Sequence, residues 1–180
     1  MHPDLDYILF SEEQLRQRVA EIGASLSAEY AGREPMILCI LKGSIVFTAD
    51  LMRALTLPCT LETLTLSSYR EMSLLPGELE LKDPFDIDVA GKDIIIVEDI
   101  LDTGKTLKFV YDLLSRQGVS SLKLVVLLDK PSRRTADIEA DIVGFTIPDA
   151  FVVGYGLDFN QQYRNLPCIG VLKPEIYTTP

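Results

Sequence analysis

The chain has 180 residues and a formal net charge of −10 at pH 7; 47% of its residues are hydrophobic and 24% are charged. This length favours one domain that folds without disulfides or structural metals. The single histidine, His2, argues against a histidine-based triad and a multi-histidine metal site, and the three widely separated cysteines argue against a disulfide framework. The acidic balance, the lack of a membrane-length apolar stretch and the lack of a secretion signal predict a cytoplasmic protein that binds neither nucleic acid nor membrane.

The first half of the chain predicts two helices and two strands. Ser11 and Gln14 form a capping box, and apolar residues at helical spacing follow as far as Gly32. The continuous apolar run Met36–Leu41 predicts a buried strand. A Lys-Gly-Ser turn then leads into a second helix, and the alternating segment Cys59–Leu66 predicts another strand.

The second half begins with residues 67–84, where a Pro-Gly turn predicts a long loop or a loose hairpin. Asp93–Val97 is a further buried strand, and a helix follows from about Lys105 to Gln117. More strands are predicted at Leu122–Leu128, Asp141–Ile147, Phe151–Leu157 and Cys168–Leu172. Strands that alternate with helices predict an α/β fold with a parallel sheet. Ligands of such sheets bind beyond the carboxyl ends of the strands.

The sequence Gly104-Lys105-Thr106 resembles the end of a nucleotide-binding P-loop, but that motif requires a glycine at position 99, which is aspartate. The start of a helix instead offers free N–H donors to one phosphate monoester. Glu98 and Asp99, just upstream, suit sugar hydroxyls or a hard cation such as Mg²⁺. The alternative is an acidic loop in front of an ordinary capped helix.

Two lysines extend this pattern, because Lys42 and Lys130 each follow directly after a predicted buried strand. A single charge at such a place is usually a solvated loop residue. Three polar strand ends in one parallel sheet favour a shared site instead.

The segment "VEDILDTGKT" (97–106) resembles the binding motif for phosphoribosyl diphosphate (PRPP) in type I phosphoribosyltransferases. Four more segments, in the same order, are similar to the hypoxanthine-guanine branch of that family: "LKGSIVFTADL" (41–51), "SSYR" (67–70), "LLDKPSRR" (127–134) and "IPDAFVVGYGLDFNQQYRNLP" (147–167). The resemblance covers nearly the whole chain. It implies a single domain (1–180) with a twisted parallel sheet flanked by helices.

Within that domain the resemblance places a core at about 33–150, a small hood built from about 1–10 and 151–180, and a mobile lid at about 67–84. It also implies the activity: transfer of the 5-phosphoribosyl group of PRPP to N9 of hypoxanthine or guanine, which gives IMP or GMP plus pyrophosphate. Mg²⁺ is the implied cofactor. The implied assembly is a homodimer or homotetramer.

The family's site residues carry over by position. Asp102, Thr103, Gly104, Lys105 and Thr106 match the cradle of the 5′-phosphate. Glu98 and Asp99 match the residues that bind the ribose hydroxyls and metal. Asp102 also matches the proposed general base at purine N7, although the sequence allows it to be only a helix N-cap. Lys42, Gly43 and Arg164 match the pyrophosphate site, with a cis peptide bond expected at Leu41–Lys42.

The purine side is implied in the same way. Lys130 should donate to the 6-oxo group, since an ammonium cannot accept from the 6-amino group of adenine. Phe151 matches the aromatic that stacks on the base, although periodicity alone places it in the core, and Val152 offers its backbone. Asp158 matches an acid that holds a second Mg²⁺ near the pyrophosphate and is also expected among the purine-binding residues. Ser68 and Tyr69 begin the lid.

The sequence departs from the family in the lid, where Met72, Leu74, Leu75 and Pro76 replace small polar residues. This lid is expected to be stiffer, or to pack its apolar tip on a neighbouring subunit. Two other functions stay open: a regulatory protein of the same fold that binds RNA or a protein partner, and an enzyme that acts on a pyrimidine. The acidic charge argues against the first, and Lys130 with "FVVGYGLD" argues against the second.

Overall fold

The structure is a computed structural model that describes residues 2–68, 79–81 and 87–178. Its strands are β1 (Leu5–Phe10), β2 (Met36–Leu41), β3 (Thr60–Ser68), β4 (Leu79–Leu81), β5 (Asp93–Leu101), β6 (Ser121–Asp129), β7 (Ile142–Thr146), β8 (Val152–Val153) and β9 (Ile169–Leu172). Its helices are α1 (Glu12–Glu29), α2 (Ile45–Ala54), α3 (Lys105–Ser115) and the short α4 (Pro174–Tyr177), with one 3₁₀ turn at Pro131–Arg133.

The larger sheet has the strand order β4-β3-β2-β5-β6-β7. Strands β3, β2, β5, β6 and β7 are parallel, and only β4 runs antiparallel to its neighbour. The strands richest in Ile, Val and Leu occupy the centre, because a central parallel strand is buried on both faces. The predicted α/β parallel fold is confirmed.

Helices cover both faces of this sheet. Helices α1 and α2 pack on the face that carries Ile95 and Val97, and α3 packs on the face that carries Ile94 and Ile96. Alternate residues of β5 therefore enter opposite cores, as the two-residue period of a strand requires. The predicted capping box of α1 is present, with the amide of Gln14 3.3 Å from the hydroxyl of Ser11.

A second, antiparallel sheet has the order β1-β9-β8. The predicted strand Phe151–Leu157 is wrong beyond Val153, because Gly154, Tyr155 and Gly156 all have positive φ and turn the chain away from the sheet. Strand β1 was not predicted from the sequence. This sheet is built from segments expected in the hood; the division of the chain into core and hood stays a prediction.

The expected lid is described only at its edges. Strand β3 ends at Ser68, and β4 pairs with it in antiparallel register, Ser68 opposite Leu79, as in a hairpin. Tyr69 and the apolar lid residues 72–76 lie outside the described residues. Within the described ranges, no helix is both long and apolar enough to cross a membrane.

Candidate active site

The carboxyl ends of β2, β5 and β6 lie side by side, because these strands are parallel neighbours in the sheet. Lys42, Asp102 and Lys130 directly follow these three strands. A hydrogen bond of 3.0 Å from the amide of Lys130 to the carbonyl of Leu101 joins two of the strand ends. The polar residues predicted to share a site are therefore brought to one edge of the sheet.

Glu98 and Asp99 lie inside β5, not after it, because the strand continues four residues beyond the predicted end at Val97. Their side chains are hydrogen-bonded to each other. Burial, with the neighbouring charge of Asp99, raises the pKa of Glu98 well above its ordinary value, and burial also raises the pKa of Asp99. Oε2 of Glu98 is itself buried without a hydrogen-bond partner among the described residues.

The phosphate loop turns into α3 at Gly104, which has a left-handed φ of 81°. A Cβ at this position would come within 2.8 Å of Ile138 and 2.9 Å of Arg134, so the turn requires glycine. Gly104 is the N-cap, and no side chain caps α3. The alternative interpretation of Asp102 as the helix N-cap is therefore wrong, and the first amides of α3 are left for an anion.

Asp102 faces an arginine that the sequence interpretation did not assign. Oδ1 of Asp102 lies 3.1 Å from Nε of Arg133. This oxygen is buried, and the two groups are not aligned as a hydrogen bond. Arg133 also lies 3.7 Å from Asp149. The guanidinium thus joins the predicted base to an acidic residue of the following loop.

Lys130 is buried, with 6% of its surface exposed. Its ammonium donates to the carbonyl of Ala150 at 2.8 Å and lies 3.7 Å from Asp149. One of its three protons is therefore used by the backbone, and the others remain available for an acceptor. A buried lysine held at a strand end differs from the solvated charge that sequence alone allows.

Arg134 fastens the phosphate loop to β6. Its guanidinium donates to the carbonyls of Asp102 at 3.0 Å, Leu101 at 3.2 Å and Ile138 at 2.8 Å, and it pairs with Asp129. The amides of residues 135 and 136 also donate to the carbonyl of Thr103, each at 3.0 Å. The sequence marked Arg133 and Arg134 only as the end of the segment "LLDKPSRR" and assigned neither a role.

The predicted pyrophosphate residues lie around the same edge. The peptide bond Leu41–Lys42 is cis, as predicted. Gly43 approaches Asp99 so closely that a Cβ at position 43 would overlap its carboxylate. Arg164 donates to the carbonyl of Gly156 at 2.7 Å and pairs with Asp158 at 2.8 Å.

The aromatic residue predicted to stack on a base is partly open, since 36% of the Phe151 surface is exposed. The core position suggested by periodicity is therefore wrong. Its ring stacks on Tyr177, with centroids 4.8 Å apart and planes 19° apart, and meets the edge of Phe159 at 5.6 Å. Val152, beside it in β8, is buried.

The predicted metal ligands are only partly gathered. Among the described residues, no three Asp, Glu, His or Cys side chains are grouped as a metal site. Glu98 and Asp99 are paired with each other, and the two oxygens of Asp158 are engaged by Arg164 and by the amide of Gln161. A cation bound here would have to take part of its coordination from a substrate.

Known proteins resemble this chain over nearly its whole length. Residues 9–160 match the phosphoribosyl transferase domain family. The hypoxanthine-guanine phosphoribosyltransferase of Bacillus subtilis (strain 168) is 46% identical over 177 residues, which is 98% of each chain. The bifunctional protein TilS/HprT of Listeria innocua is 44% identical over 178 residues. That alignment includes 99% of this chain but only 28% of the length of the Listeria innocua protein.

Solved structures agree with this assignment. A hypoxanthine phosphoribosyltransferase of Staphylococcus aureus has a TM-score of 0.93 at 45% identity, covering 99% of this chain and 97% of that one. The hypoxanthine phosphoribosyltransferase of Trypanosoma cruzi, in complex with the product IMP, has a TM-score of 0.90 at 40% identity, covering 98% and 99%. The chain therefore belongs to the phosphoribosyltransferase family, with the type I fold, in its hypoxanthine-guanine branch.

Proposed function

We propose that this protein is a purine salvage enzyme that transfers the 5-phosphoribosyl group of PRPP to N9 of hypoxanthine or guanine. The observation that carries the proposal is the pairing of two features at one sheet edge: an uncapped helix N-terminus at Gly104 and the buried ammonium of Lys130. The first suits a phosphate monoester, and the second suits the oxo group of a base. The sequence identity with enzymes so named supports the same conclusion.

The chain's own residues supply positioning and electrostatics. The amides of residues 103–106 would hold the 5′-phosphate, and Glu98 and Asp99 would accept hydrogen bonds from the ribose hydroxyls. Lys42, Gly43 and Arg164 would hold the pyrophosphate group, which leaves as N9 bonds to the anomeric carbon. Holding both reactants in line lowers the entropic part of the barrier, and fixed charges stabilise the charge that develops.

The purine would lie between Lys130 and Phe151. Lys130 donates to the 6-oxo group, and the exposed ring of Phe151 stacks on the base. Asp102 would take the proton at N7 as N9 reacts, which is the role of a general base. Asp158 and the backbone of Val152 would complete the base site.

Mg²⁺ fits this site as an ion shared with the substrate. In proteins it is usually held by one or two carboxylates plus substrate phosphates and waters, and the buried, unpartnered Oε2 of Glu98 is a suitable acceptor. Glu98, Asp99 and Asp158 are the residues that would hold it. When bound, the ion neutralises the departing pyrophosphate.

The proposal includes a cytoplasmic location and a homodimeric or homotetrameric assembly. Both are supported by the similarity of the chain to its family. A regulatory role with RNA is not favoured, because the net charge is −10 and the close relatives are named as enzymes.

The direct test incubates the protein with PRPP, Mg²⁺ and one base at a time, and follows nucleotide formation. We expect IMP from hypoxanthine and GMP from guanine, and no product from adenine or uracil. Turnover of adenine at the rate of hypoxanthine would contradict the role of Lys130. A lack of product with all bases, together with RNA binding that weakens steeply with salt, would support the regulatory alternative.

A further inference from the structure

A left-handed turn separates β8 from the loop that carries Arg164. Gly154, Tyr155 and Gly156 have φ values of 100°, 51° and 102°. Tyr155 is the strained member, because a residue with a side chain disfavours this conformation. Two backbone hydrogen bonds hold the turn to its own loop, from Tyr155 to Leu166 at 2.8 Å and from Gly156 to Arg164 at 3.0 Å.

The side chain of Tyr155 ties this turn to a distant element. Its hydroxyl donates to Oδ2 of Asp50, in α2, at 2.6 Å, and the ring is buried. The other oxygen of Asp50 pairs with Arg53, so the acceptor is fixed on both sides. Burial, and then the bond to Asp50, raise the pKa of Tyr155, so the phenol stays protonated and remains a donor.

The same turn touches two residues proposed to bind pyrophosphate. Gly156 lies against the carbonyl of Gly43, where a Cβ at position 156 would overlap that oxygen. The carbonyl of Gly156 accepts from Arg164 at 2.7 Å. Helix α2 begins just after Gly43. The hydrogen bond between Asp50 of α2 and Tyr155 therefore connects the segment of Gly43 to the turn that contacts Arg164.

The contact between the turn and α2 borders solvent-accessible space on one side. A cleft of about 560 Å³ runs beside the turn, and Asp50, Tyr155 and Arg164 all line it. Side chains that border open space can shift, because fewer neighbours restrain them. The hydrogen bond adds a directional contact between the turn and α2 to the packing of the buried Tyr155 ring.

We propose that Tyr155, through its hydrogen bond to Asp50, is a positioning residue that holds Arg164 and the Gly43 carbonyl in place for the pyrophosphate group. This inference rests on the proposed function. Neither Tyr155 nor Asp50 touches the reacting atoms, so both act through Arg164 and Gly43. Their loss should affect the pyrophosphate side of the site and spare the purine side.

The test uses the reverse reaction, in which IMP and pyrophosphate give hypoxanthine and PRPP. Tyr155→Phe removes only the donor, and we expect KM for pyrophosphate to rise roughly fivefold while KM for IMP stays within about twofold. Asp50→Ala should match it, Asp50→Asn should retain most of the affinity because the amide oxygen still accepts, and the double variant should be no worse than either single one.

Tyr163→Phe is the matched control, because the Tyr163 hydroxyl makes a similar bond of 2.7 Å to Asp4 on another side of the same loop. We expect it to leave KM for pyrophosphate unchanged. Direct binding of pyrophosphate, measured by calorimetry for each folded variant, gives a second readout that does not depend on turnover.

Three outcomes would overturn the inference: an unchanged pyrophosphate affinity in Tyr155→Phe, an equal loss for IMP and pyrophosphate, or the same loss in Tyr163→Phe. In each case the wild-type protein still turns over, so the proposed function survives. If the wild-type protein neither forms PRPP nor binds pyrophosphate, the proposed function and this inference fail together.

Discussion

Nε of Arg133 lies 3.1 Å from Oδ1 of Asp102, the residue predicted to act as the general base. Half of the Arg133 side chain is exposed, so this pair contributes less than about 1 kcal/mol to stability and can open when a base enters. Asp102 is therefore paired with a replaceable partner, as a carboxylate that must later meet a purine requires.

Asp102→Asn tests the base role. The amide keeps the shape of the side chain but cannot take a proton, so we expect kcat to fall roughly 100-fold or more while KM for PRPP changes little. Steady-state kinetics with hypoxanthine give both values. Asp112→Asn is the control, since Asp112 lies on α3 and pairs with Lys108, and it should stay near wild type. Lost PRPP affinity with kcat retained would show that Asp102 only binds.

Lys130→Ala tests base recognition. Removal of the buried ammonium leaves the 6-oxo group without its donor, so KM for hypoxanthine should rise roughly tenfold or more while PRPP affinity is largely kept. Lys108→Ala is the control, because Lys108 lies on α3 and pairs with Asp112 at 2.6 Å. Equal damage to the affinities for hypoxanthine and PRPP would contradict a role in selecting the base.

The Glu98→Gln variant tests whether the pKa of Glu98 is raised in the folded protein, through the dependence of stability on pH. The folded state raises the pKa of Glu98, so it binds this proton more tightly than the unfolded chain does, and stability falls as pH rises above about 4.5 toward the folded-state pKa. Glutamine keeps a donor to Asp99 and cannot ionise. The variant should gain stability relative to wild type across this range, by at most about 1.4 kcal/mol per pH unit.

Urea unfolding from pH 4 to pH 8 measures this difference. Glu62→Gln, on the exposed part of β3, is the control and should run parallel to wild type at every pH. A difference between Glu98→Gln and wild type that does not grow with pH would mean that Glu98 is ionised in the folded protein.

Gly104→Ala and Gly118→Ala form a matched pair, because both glycines have left-handed backbones, with φ of 81° and 71°. A Cβ at Gly118 meets nothing within 4 Å, whereas one at Gly104 meets Ile138 and Arg134. We expect Gly118→Ala to cost about 1 kcal/mol of stability and Gly104→Ala clearly more. Only Gly104→Ala should raise KM for PRPP; equal effects of the two variants would contradict a specific role for the turn.

The sequence predicted the sheet well because its central strands are unbroken apolar runs with few other possible structures. It failed where chemistry interrupts such a run. Glu98 and Asp99 were expected to follow β5, yet the strand continues through both acids as far as Leu101. The length of β8 was overestimated because an apolar run conceals the two glycines that bend it.

The contacts of Arg133, Arg134 and Tyr155 were beyond sequence reasoning for a different reason. Each joins segments far apart in the chain, such as Tyr155 and Asp50, and an isolated sequence shows no such partner. The pattern of polar strand ends placed Lys130 in a shared site, but its role toward the base came only from the family resemblance, because a lone lysine after a strand has the same local pattern whether it is solvated or buried.

The hydrogen bonds of Arg134 fix the distance between the loop before α3 and the end of β6. One guanidinium binds the carbonyls of Leu101 and Asp102 before α3 and the carboxylate of Asp129 at the end of β6. The proposed binding sites for the phosphate and for the base are therefore held at a constant separation. A rigid span of this kind selects ligands by length: a sugar one carbon longer or shorter would satisfy one anchor and miss the other, even though every individual binding group were correct.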